Sequence, residues 1–319
     1  MSIVEVEVRP RFPVRLPRGA GDSVMRFSEG VLERVLHVGS CPIRIRVWQA
    51  RTGVRLRAES IDPRLAIHFA DSVECLEAGE DELELAIERM RFALAIEDDM
   101  SEFFSAFKRD PLIGPVIHRK PWIRPKRRPW PWEALAWAIT EQLIELSRAK
   151  AIQRRIVRRW GPRIAPGRLS GRPLLDLPSA ELIAGRAPAE LVSMDLTEAR
   201  ALALVRCARE VAAGRADLSD PASDRRLLKI REIGPWTVQC VGLKGRGEPD
   251  SLPAGDLAYV KLVGHLADLG RRATVEEVEQ FFAPYAPFRG LAGTFALAGW
   301  HKAVVQGPPL RRAPGSLAA

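Results

Sequence analysis

The segment over residues 118–132, HRKPWIRPKRRPWPW, constrains the fold of this chain most strongly, because it contains four prolines. Proline lacks a backbone N–H group and fixes its φ angle, which excludes it from helix interiors and central strands. The segment therefore predicts an extended connector between two parts of the chain. Its six lysine and arginine residues leave two interpretations open: contact with a phosphate backbone, or plain solvation, which is common for charge runs.

The chain before this connector shows the alternation of β-strands. Apolar and charged residues alternate over residues 3–8, 43–47 and 54–58, which predicts strands with one buried and one wet face. The apolar spacing over residues 82–96 fits a helix instead. We therefore expect an α+β domain over residues 1–110, in which an antiparallel sheet is mixed with helix.

After the connector, apolar residues recur at steps of three and four, which predicts a bundle of short helices over residues 111–305. Ser147 is a candidate cap for a helix that begins beyond a corner near residue 143. Thr274 and Glu277 have the spacing of a capping box. Residues 306–319 are expected to form a flexible tail.

Composition favours a polyanionic partner. The net charge of +9 and the pI near 9.9 suit phosphate binding, although many arginine-rich proteins bind no nucleic acid. The sequence has neither a run of about 18 apolar residues nor an apolar leader, so we expect an intracellular, cytoplasmic protein without a membrane partner.

Cysteine and histidine spacing gives no sign of a side-chain metal site. The four cysteines lie far apart, without a Cys-x-x-Cys pair, and the five histidines form no His-Glu-x-x-His pattern. We expect reduced, mostly buried thiols and no required cofactor.

Residues 227–245, LLKIREIGPWTVQCVGLKG, predict two helices joined by a tight turn. Gly234 would permit the positive φ or the close approach that such a turn needs. Free N–H groups at the start of the second helix would form a phosphate site. A helix–turn–helix with one glycine is common, however, so this pattern alone does not establish DNA binding.

The surrounding motifs resemble the helix-hairpin-helix DNA glycosylases, most closely the bacterial 3-methyladenine DNA glycosylase II type. The hairpin, placed at residues 224–244, contains Ile230-Arg231-Glu232-Ile233-Gly234-Pro235-Trp236-Thr237. Further family-like segments are Pro131–Leu135 with Gln142-Leu143, Met194–Arg200, Leu252-Pro253-Ala254-Gly255-Asp256 and Tyr285-Ala286-Pro287-Phe288-Arg289. The resemblance implies an α+β N-terminal domain followed by a mostly helical glycosylase core.

By this resemblance Asp256 is the catalytic carboxylate, which would stabilise the oxocarbenium-like deoxyribose and orient water. Its position at a predicted helix start is also typical of plain capping, and both roles can hold at once. Trp236 and Phe288 are the implied walls of the base pocket, although either could be a core residue. Leu143 and Gln142 are the implied wedge that fills the space left by the extruded nucleotide.

The resemblance also implies contacts to the DNA backbone and to a cation. Backbone contacts fall on Ile233, Gly234, Trp236 and Thr237. The main-chain carbonyls of Leu228, Ile230 and Ile233 would hold a structural monovalent cation. A lyase lysine would stand at position 236, which is Trp236 here, and Lys244 is expected to be a surface charge.

We therefore predict a monofunctional DNA glycosylase that removes alkylated bases from damaged double-stranded DNA as a monomer. The alternatives are a glycosylase for oxidised or deaminated bases, a non-catalytic helix-hairpin-helix DNA-binding protein, and a regulatory protein whose N-terminal domain binds another ligand. Glu232 departs from the glycine of the family hairpin, and its acidic side chain is unhelpful near phosphate.

Overall fold

Five antiparallel strands in the order β1–β5–β4–β3–β2 form the N-terminal sheet of the computed structural model, which describes residues 2–17, 24–62, 66–67, 76–164 and 173–306. The strands are β1 (Ile3–Val8), β2 (Met25–Ser28), β3 (Val31–Val38), β4 (Cys41–Gln49) and β5 (Val54–Ser60). Helix α1 (Glu80–Ala93) packs on one face. The predicted α+β class is confirmed, and the helix expected over residues 82–96 begins and ends slightly earlier.

The alternation seen in the sequence accounts for this packing. Ile43, Ile45 and Val47 of β4 are fully buried, together with Leu83 of α1. The arginines between them on β4 pair instead with glutamates of neighbouring strands. The apolar face therefore fixes which side of the sheet the helix covers.

The described chain beyond the sheet is mostly helical, as predicted. Its helices are α2 (Ser101–Phe107), α3 (Gly114–Arg119), α4 (Pro131–Glu141), α5 (Leu146–Trp160), α6 (Ala180–Ala184), α7 (Pro188–Val192), α8 (Glu198–Ala212), α9 (Asp224–Leu227), α10 (Pro235–Val241), α11 (Leu257–Leu266), α12 (Val275–Phe282) and α13 (Arg289–Gln306). Thr274 and Glu277 form the expected capping box of α12. Ser147 is not a cap, because α5 begins two residues earlier than expected, at Leu146, with Glu145 in the N-cap position.

The connector is extended where its prolines are densest. Residues 121–130 lie outside the helices, whereas the two ends of the predicted segment belong to α3 and α4. Pro131 occupies the first turn of α4, where its missing N–H group costs nothing.

A small sheet of β6 (Ala66–Ile67), β7 (Arg163–Ile164) and β8 (Leu174–Leu175) was not predicted from the sequence. Ile164 and Leu174 pack against Val35 of β3. This cluster joins the N-terminal sheet to the helical part of the chain.

The helical part contains two apolar cores. One combines α4, α5 and α8 with the hairpin through Leu135, Leu204 and Val238. The other combines α2 and α3 with α11–α13 and includes Leu252 and Ala254, just before Asp256. The hairpin and the Asp256 segment therefore belong to different cores.

No helix in the described ranges is long and apolar enough to cross a membrane. Cys75 and residues 307–319 of the predicted tail lie outside the described residues.

Candidate active site

The predicted hairpin is present, with a first helix shorter than expected. Helix α9 ends at Leu227, and the second helix, α10, continues as one π-helical turn over Gly242–Arg246. The positive φ of the turn belongs to Glu232, at +73°, whereas Gly234 has a φ of −111°. Of the two reasons expected for glycine at position 234, a positive φ is excluded and a close approach is left; the left-handed position is where the family has its first glycine.

The start of α10 keeps two donors available. No acceptor lies within the described chain for the backbone N–H groups of Gly234 and Trp236. Ile233 N–H donates to Ile230 O at 3.0 Å, and Thr237 N–H donates to Gly234 O at 3.0 Å. Of the four predicted backbone contacts, only Gly234 and Trp236 therefore offer a free N–H group to a phosphate.

Gly234 also faces open space. A Cβ atom built on Gly234 would have no heavy atom within 4 Å, so the fold itself does not require glycine here. A phosphate bound to the two free N–H groups would come close to this position. Its close approach, and not packing within the protein, would then account for the lack of a side chain at residue 234.

Gln142 ties the loop after α4 to the hairpin. Its Nε2 donates to Glu232 O at 2.8 Å and to Thr237 Oγ1 at 3.0 Å. Thr237 is only 1% exposed, so its hydroxyl supports Gln142 from inside the protein. These contacts position the loop, and the expectation that Gln142 is part of the wedge stays a prediction.

Leu143 forms the tip of this loop. It is 70% exposed and has a φ of +53°, a conformation that bulky residues rarely adopt. An exposed leucine held in a left-handed conformation is costly for the free protein, which is typical of residues that act on a ligand. Its placement agrees with the predicted wedge, whose insertion into DNA stays a prediction.

Asp256 caps α11. One carboxylate oxygen, Oδ1, accepts the Ala258 N–H at 2.8 Å, and the Asp256 N–H donates to Pro253 O at 2.9 Å. Within the described residues the other oxygen, Oδ2, accepts no hydrogen bond. The side chain is half-buried, so one oxygen is fixed by the helix and the other is left for a substrate.

Trp236 and Cys240 of α10 and Tyr259 of α11 lie near Asp256. A Cβ atom built on Gly255 would lie 3.7 Å from Trp236 Cβ, which places the indole beside the residue preceding Asp256. Burial raises the pKa of the Cys240 thiol to about 12, and the Asp256 charge adds to this shift. Burial also raises the pKa of Tyr259, with the Asp256 charge again contributing. Cys240 and Tyr259 are therefore buried, neutral groups within the electrostatic influence of the Asp256 carboxylate.

Lys244 is not the surface charge expected from the sequence. Its side chain is 30% exposed, and Nζ lies 3.7 Å from Glu141 Oε2. Burial acts to lower the pKa of Lys244, but nearby anionic groups, the Glu141 and Asp256 carboxylates among them, hold it above its ordinary value. The spacing of Trp236, Cys240 and Lys244 by four residues indicates one helix face, and this signal could have placed Lys244 at the site.

Phe288 occupies an aromatic cluster. Its ring contacts Phe103 at 5.8 Å and Phe107 at 6.4 Å between centroids, both edge-on. These contacts account for its position by core packing. Phe288 is partly buried among these side chains, and its role as a wall of the base pocket stays a prediction.

Sequence comparison finds no matching family model but identifies curated relatives. A DNA-3-methyladenine glycosylase of Bacillus subtilis is 26% identical over 208 residues, which cover 63% of this chain and 67% of the relative. A probable bifunctional transcriptional activator/DNA repair enzyme AlkA of Mycobacterium tuberculosis is 27% identical over 257 residues. That match covers 75% of this chain and 48% of the relative, so the chain spans about half the length of the mycobacterial protein.

Solved structures share the fold over nearly the whole chain. The 3-methyladenine DNA-glycosylase from Archaeoglobus fulgidus has a TM-score of 0.75 at 17% identity, covering 94% of this chain and 98% of that one. The Clostridium acetobutylicum 8-oxoguanine glycosylase/lyase bound to double-stranded DNA has a TM-score of 0.65 at 15% identity, covering 89% of each chain. The comparisons confirm the resemblance to the helix-hairpin-helix DNA glycosylases that the motifs indicated.

We predict that Gly234→Ala weakens DNA binding by about tenfold without destabilising the protein. The φ of Gly234 is accessible to alanine and the fold leaves room for the methyl group, which would meet only a bound phosphate. Fluorescence anisotropy with a short duplex and urea unfolding test this. Gly185→Ala is the matched control, because Gly185 has a negative φ and a Cβ atom there would make only ordinary van der Waals contacts, at 3.7 Å and 3.9 Å. Unchanged DNA affinity in Gly234→Ala would contradict the phosphate site.

We predict that Glu232→Gly stabilises the protein by about 0.5–1 kcal/mol and tightens DNA binding about threefold. Glycine relieves the left-handed strain at this position, and the substitution removes a negative charge next to the phosphate site. Glu232→Gln separates the two effects, because it removes the charge and keeps the strain. Urea unfolding and anisotropy at two salt concentrations provide the measurements; a less stable glycine variant would refute the strain argument.

Proposed function

We propose that this protein is a monofunctional DNA glycosylase that hydrolyses the N-glycosidic bond of alkylated bases, of the 3-methyladenine type, in base-excision repair. The observation that carries this proposal is the geometry of Asp256: one oxygen caps α11, the other has no hydrogen-bond partner in the described chain, and Trp236 lies alongside. The relatives named 3-methyladenine glycosylases support the substrate class.

The hairpin and the loop after α4 would hold the DNA. The free N–H groups of Gly234 and Trp236 would bind a phosphate through backbone geometry, without reading sequence. Leu143, held outward by the Gln142 contacts, would fill the space left by the extruded nucleotide. The partner proposed is therefore damaged double-stranded DNA, bound by a monomer inside the cell.

The chemistry assigned to Asp256 is electrostatic and basic. The bond between C1′ and the base breaks with its electron pair leaving on the base, so positive charge develops on the deoxyribose. The negative carboxylate stabilises that charge and accepts a proton as water adds to C1′. A cationic alkylated purine leaves as a neutral base, so the substrate itself provides leaving-group activation. The indole of Trp236 would stack on such a cation.

The hairpin carbonyls fit the proposed monovalent cation. Ile230 O accepts one hydrogen bond, from Ile233 N–H, and no described donor points to Leu228 O or Ile233 O. These three carbonyls would hold the ion, which would place positive charge near the bound phosphate. No cluster of acidic, histidine or cysteine side chains suited to a metal exists in the part of the chain that the structure describes.

A glycosylase for oxidised bases is the second candidate, because the fold is also that of an 8-oxoguanine glycosylase/lyase. Base release separates the candidates, since each predicts a different liberated base. Release of no base from alkylated, oxidised or deaminated duplexes would favour the non-catalytic DNA-binding protein.

We predict that wild type releases 3-methyladenine from methylated duplex DNA and that Asp256→Asn slows the release at least about 100-fold. Asparagine is a good N-cap, so the variant should fold and bind DNA like wild type. Chromatography of released bases under single-turnover conditions gives the rate. Asp220→Asn is the matched control, since Asp220 caps a remote turn by accepting Ala222 N–H at 2.9 Å. Equal losses in both variants would argue against catalysis by Asp256.

We predict that borohydride traps no covalent adduct between protein and DNA, and that product strands stay intact until they are heated in alkali. Trp236 offers no amine, and the raised pKa of Lys244 keeps its side chain protonated at neutral pH and thus unable to attack C1′. Gel electrophoresis after reduction is the measurement. An adduct that disappears in Lys244→Met would instead establish a lyase that uses this lysine.

A further inference from the structure

The connector contacts the helix that carries Trp236 and Cys240. Arg128 N–H donates to Lys244 O at 2.7 Å, in the π-helical turn that continues α10. A Cβ atom built on Gly245 would lie 3.1 Å from Pro131 Cα, so the end of this helix fits closely against the start of α4. The position of the connector therefore bears directly on the position of α10.

The side chain of Arg128 leads from the connector into the protein interior. Its Nη1 donates to Glu133 Oε1 at 3.2 Å, and Glu133, on α4, is fully buried. A buried carboxylate needs a cationic partner, because removing an ion from water costs several kcal/mol. Arg128 alone leaves the second oxygen of Glu133 without a donor.

The N-terminal sheet supplies that donor. Arg34 of β3 is 2% exposed, and its Nη2 lies 2.5 Å from Glu133 Oε2 while its Nη1 lies 3.4 Å from Oε1. The same Nη2 lies 3.3 Å from Asp176 Oδ1. Because guanidinium and carboxylate groups are planar, their pairing fixes the relative orientation of the two side chains as well as the distance between them.

We propose that the N-terminal sheet positions the active site through this buried series of contacts. Arg34 pairs with Glu133, Glu133 pairs with Arg128, and the backbone N–H of Arg128 donates to Lys244 O in the π-helical turn that continues α10. Arg34, Glu133 and Arg128 are positioning residues. They act by fixing the helix that presents Trp236 and Cys240 to Asp256. This inference rests on the proposed function, to which it adds a role for the N-terminal domain.

The sheet offers a matched control for a purely structural effect. Arg46 of β4 pairs with Glu59 of β5, which is itself 4% exposed. Both residues belong to the sheet, so losing this pair should destabilise the domain without altering the link to α10. Arg46→Met therefore removes an ion pair from the same domain as Arg34→Met, although Arg46 is more exposed than Arg34 and Glu59 keeps Arg57 as a partner.

The test compares wild type with Arg34→Met, Arg128→Met, their double variant, Arg34→Lys and Arg46→Met. Single-turnover base release, DNA dissociation constants, melting temperatures and hydrogen exchange over residues 235–246 are measured for each. We expect Arg34→Met and Arg128→Met to slow base release at least about tenfold, with a smaller change in the DNA dissociation constant, because α10 also carries the proposed phosphate site. The rate of base release should be only slightly lower in the double variant than in the slower single variant, because both substitutions break the same series of contacts.

Arg34→Lys is expected to recover part of the rate, and Arg46→Met to lower only the melting temperature. Hydrogen exchange over residues 235–246 should accelerate in Arg34→Met and not in Arg46→Met. This readout needs no activity, so it tests the positioning even if wild type releases no alkylated base and the proposed function fails. Should Arg34→Met not fold, Arg128→Met carries the test, because its side chain is partly exposed.

Two results would overturn the inference. One is a rate of base release in folded Arg34→Met and Arg128→Met equal to that of Arg46→Met. The other is unchanged hydrogen exchange over residues 235–246 in Arg34→Met.

Discussion

The structure depends on one buried charge, the carboxylate of Glu133. It is fully buried on α4 and is stable there only because Arg34 from the sheet and Arg128 from the connector both donate to it. Three separate parts of the chain must therefore assemble before the charge is compensated. The apolar contacts of Val35 with Ile164 and Leu174 bring sheet and helices together, and the charge chain fixes their orientation.

The hairpin turn keeps a left-handed backbone position although its residue there, Glu232, is less suited to that conformation than glycine. Glu232 has the left-handed backbone that glycine would adopt more readily, and its carbonyl accepts the Gln142 amide. The same amide also reaches Thr237 at the start of α10. One side chain thus joins the loop that bears Leu143 to the start of α10, so the two elements proposed to contact DNA hold a fixed separation.

Local sequence signals predicted much of this protein. Alternation at residues 43–47 predicted the sheet, prolines predicted the connector, and the residues around Gly234 and Asp256 predicted the hairpin and the capped helix. Contacts between distant segments could not be predicted. Nothing near Arg34 indicates that it meets Glu133, 99 positions later, and nothing near Gln142 indicates that its amide is used inside the protein. The exposure expected for Lys244 was wrong for the same reason, since Glu141 reaches it from another helix.

The central claim is that the free oxygen of Asp256 faces the deoxyribose of an extruded nucleotide. A crystal structure with duplex DNA that carries a cationic pyrrolidine in place of the damaged nucleotide tests it most directly, because this ring imitates the charge of the transition state. We predict the ring nitrogen within about 3 Å of Asp256 Oδ2, a phosphate on the Gly234 and Trp236 N–H groups, and Leu143 in the space that the extruded nucleotide leaves in the base stack. A pyrrolidine bound away from Asp256, or DNA bound on another face, would contradict it.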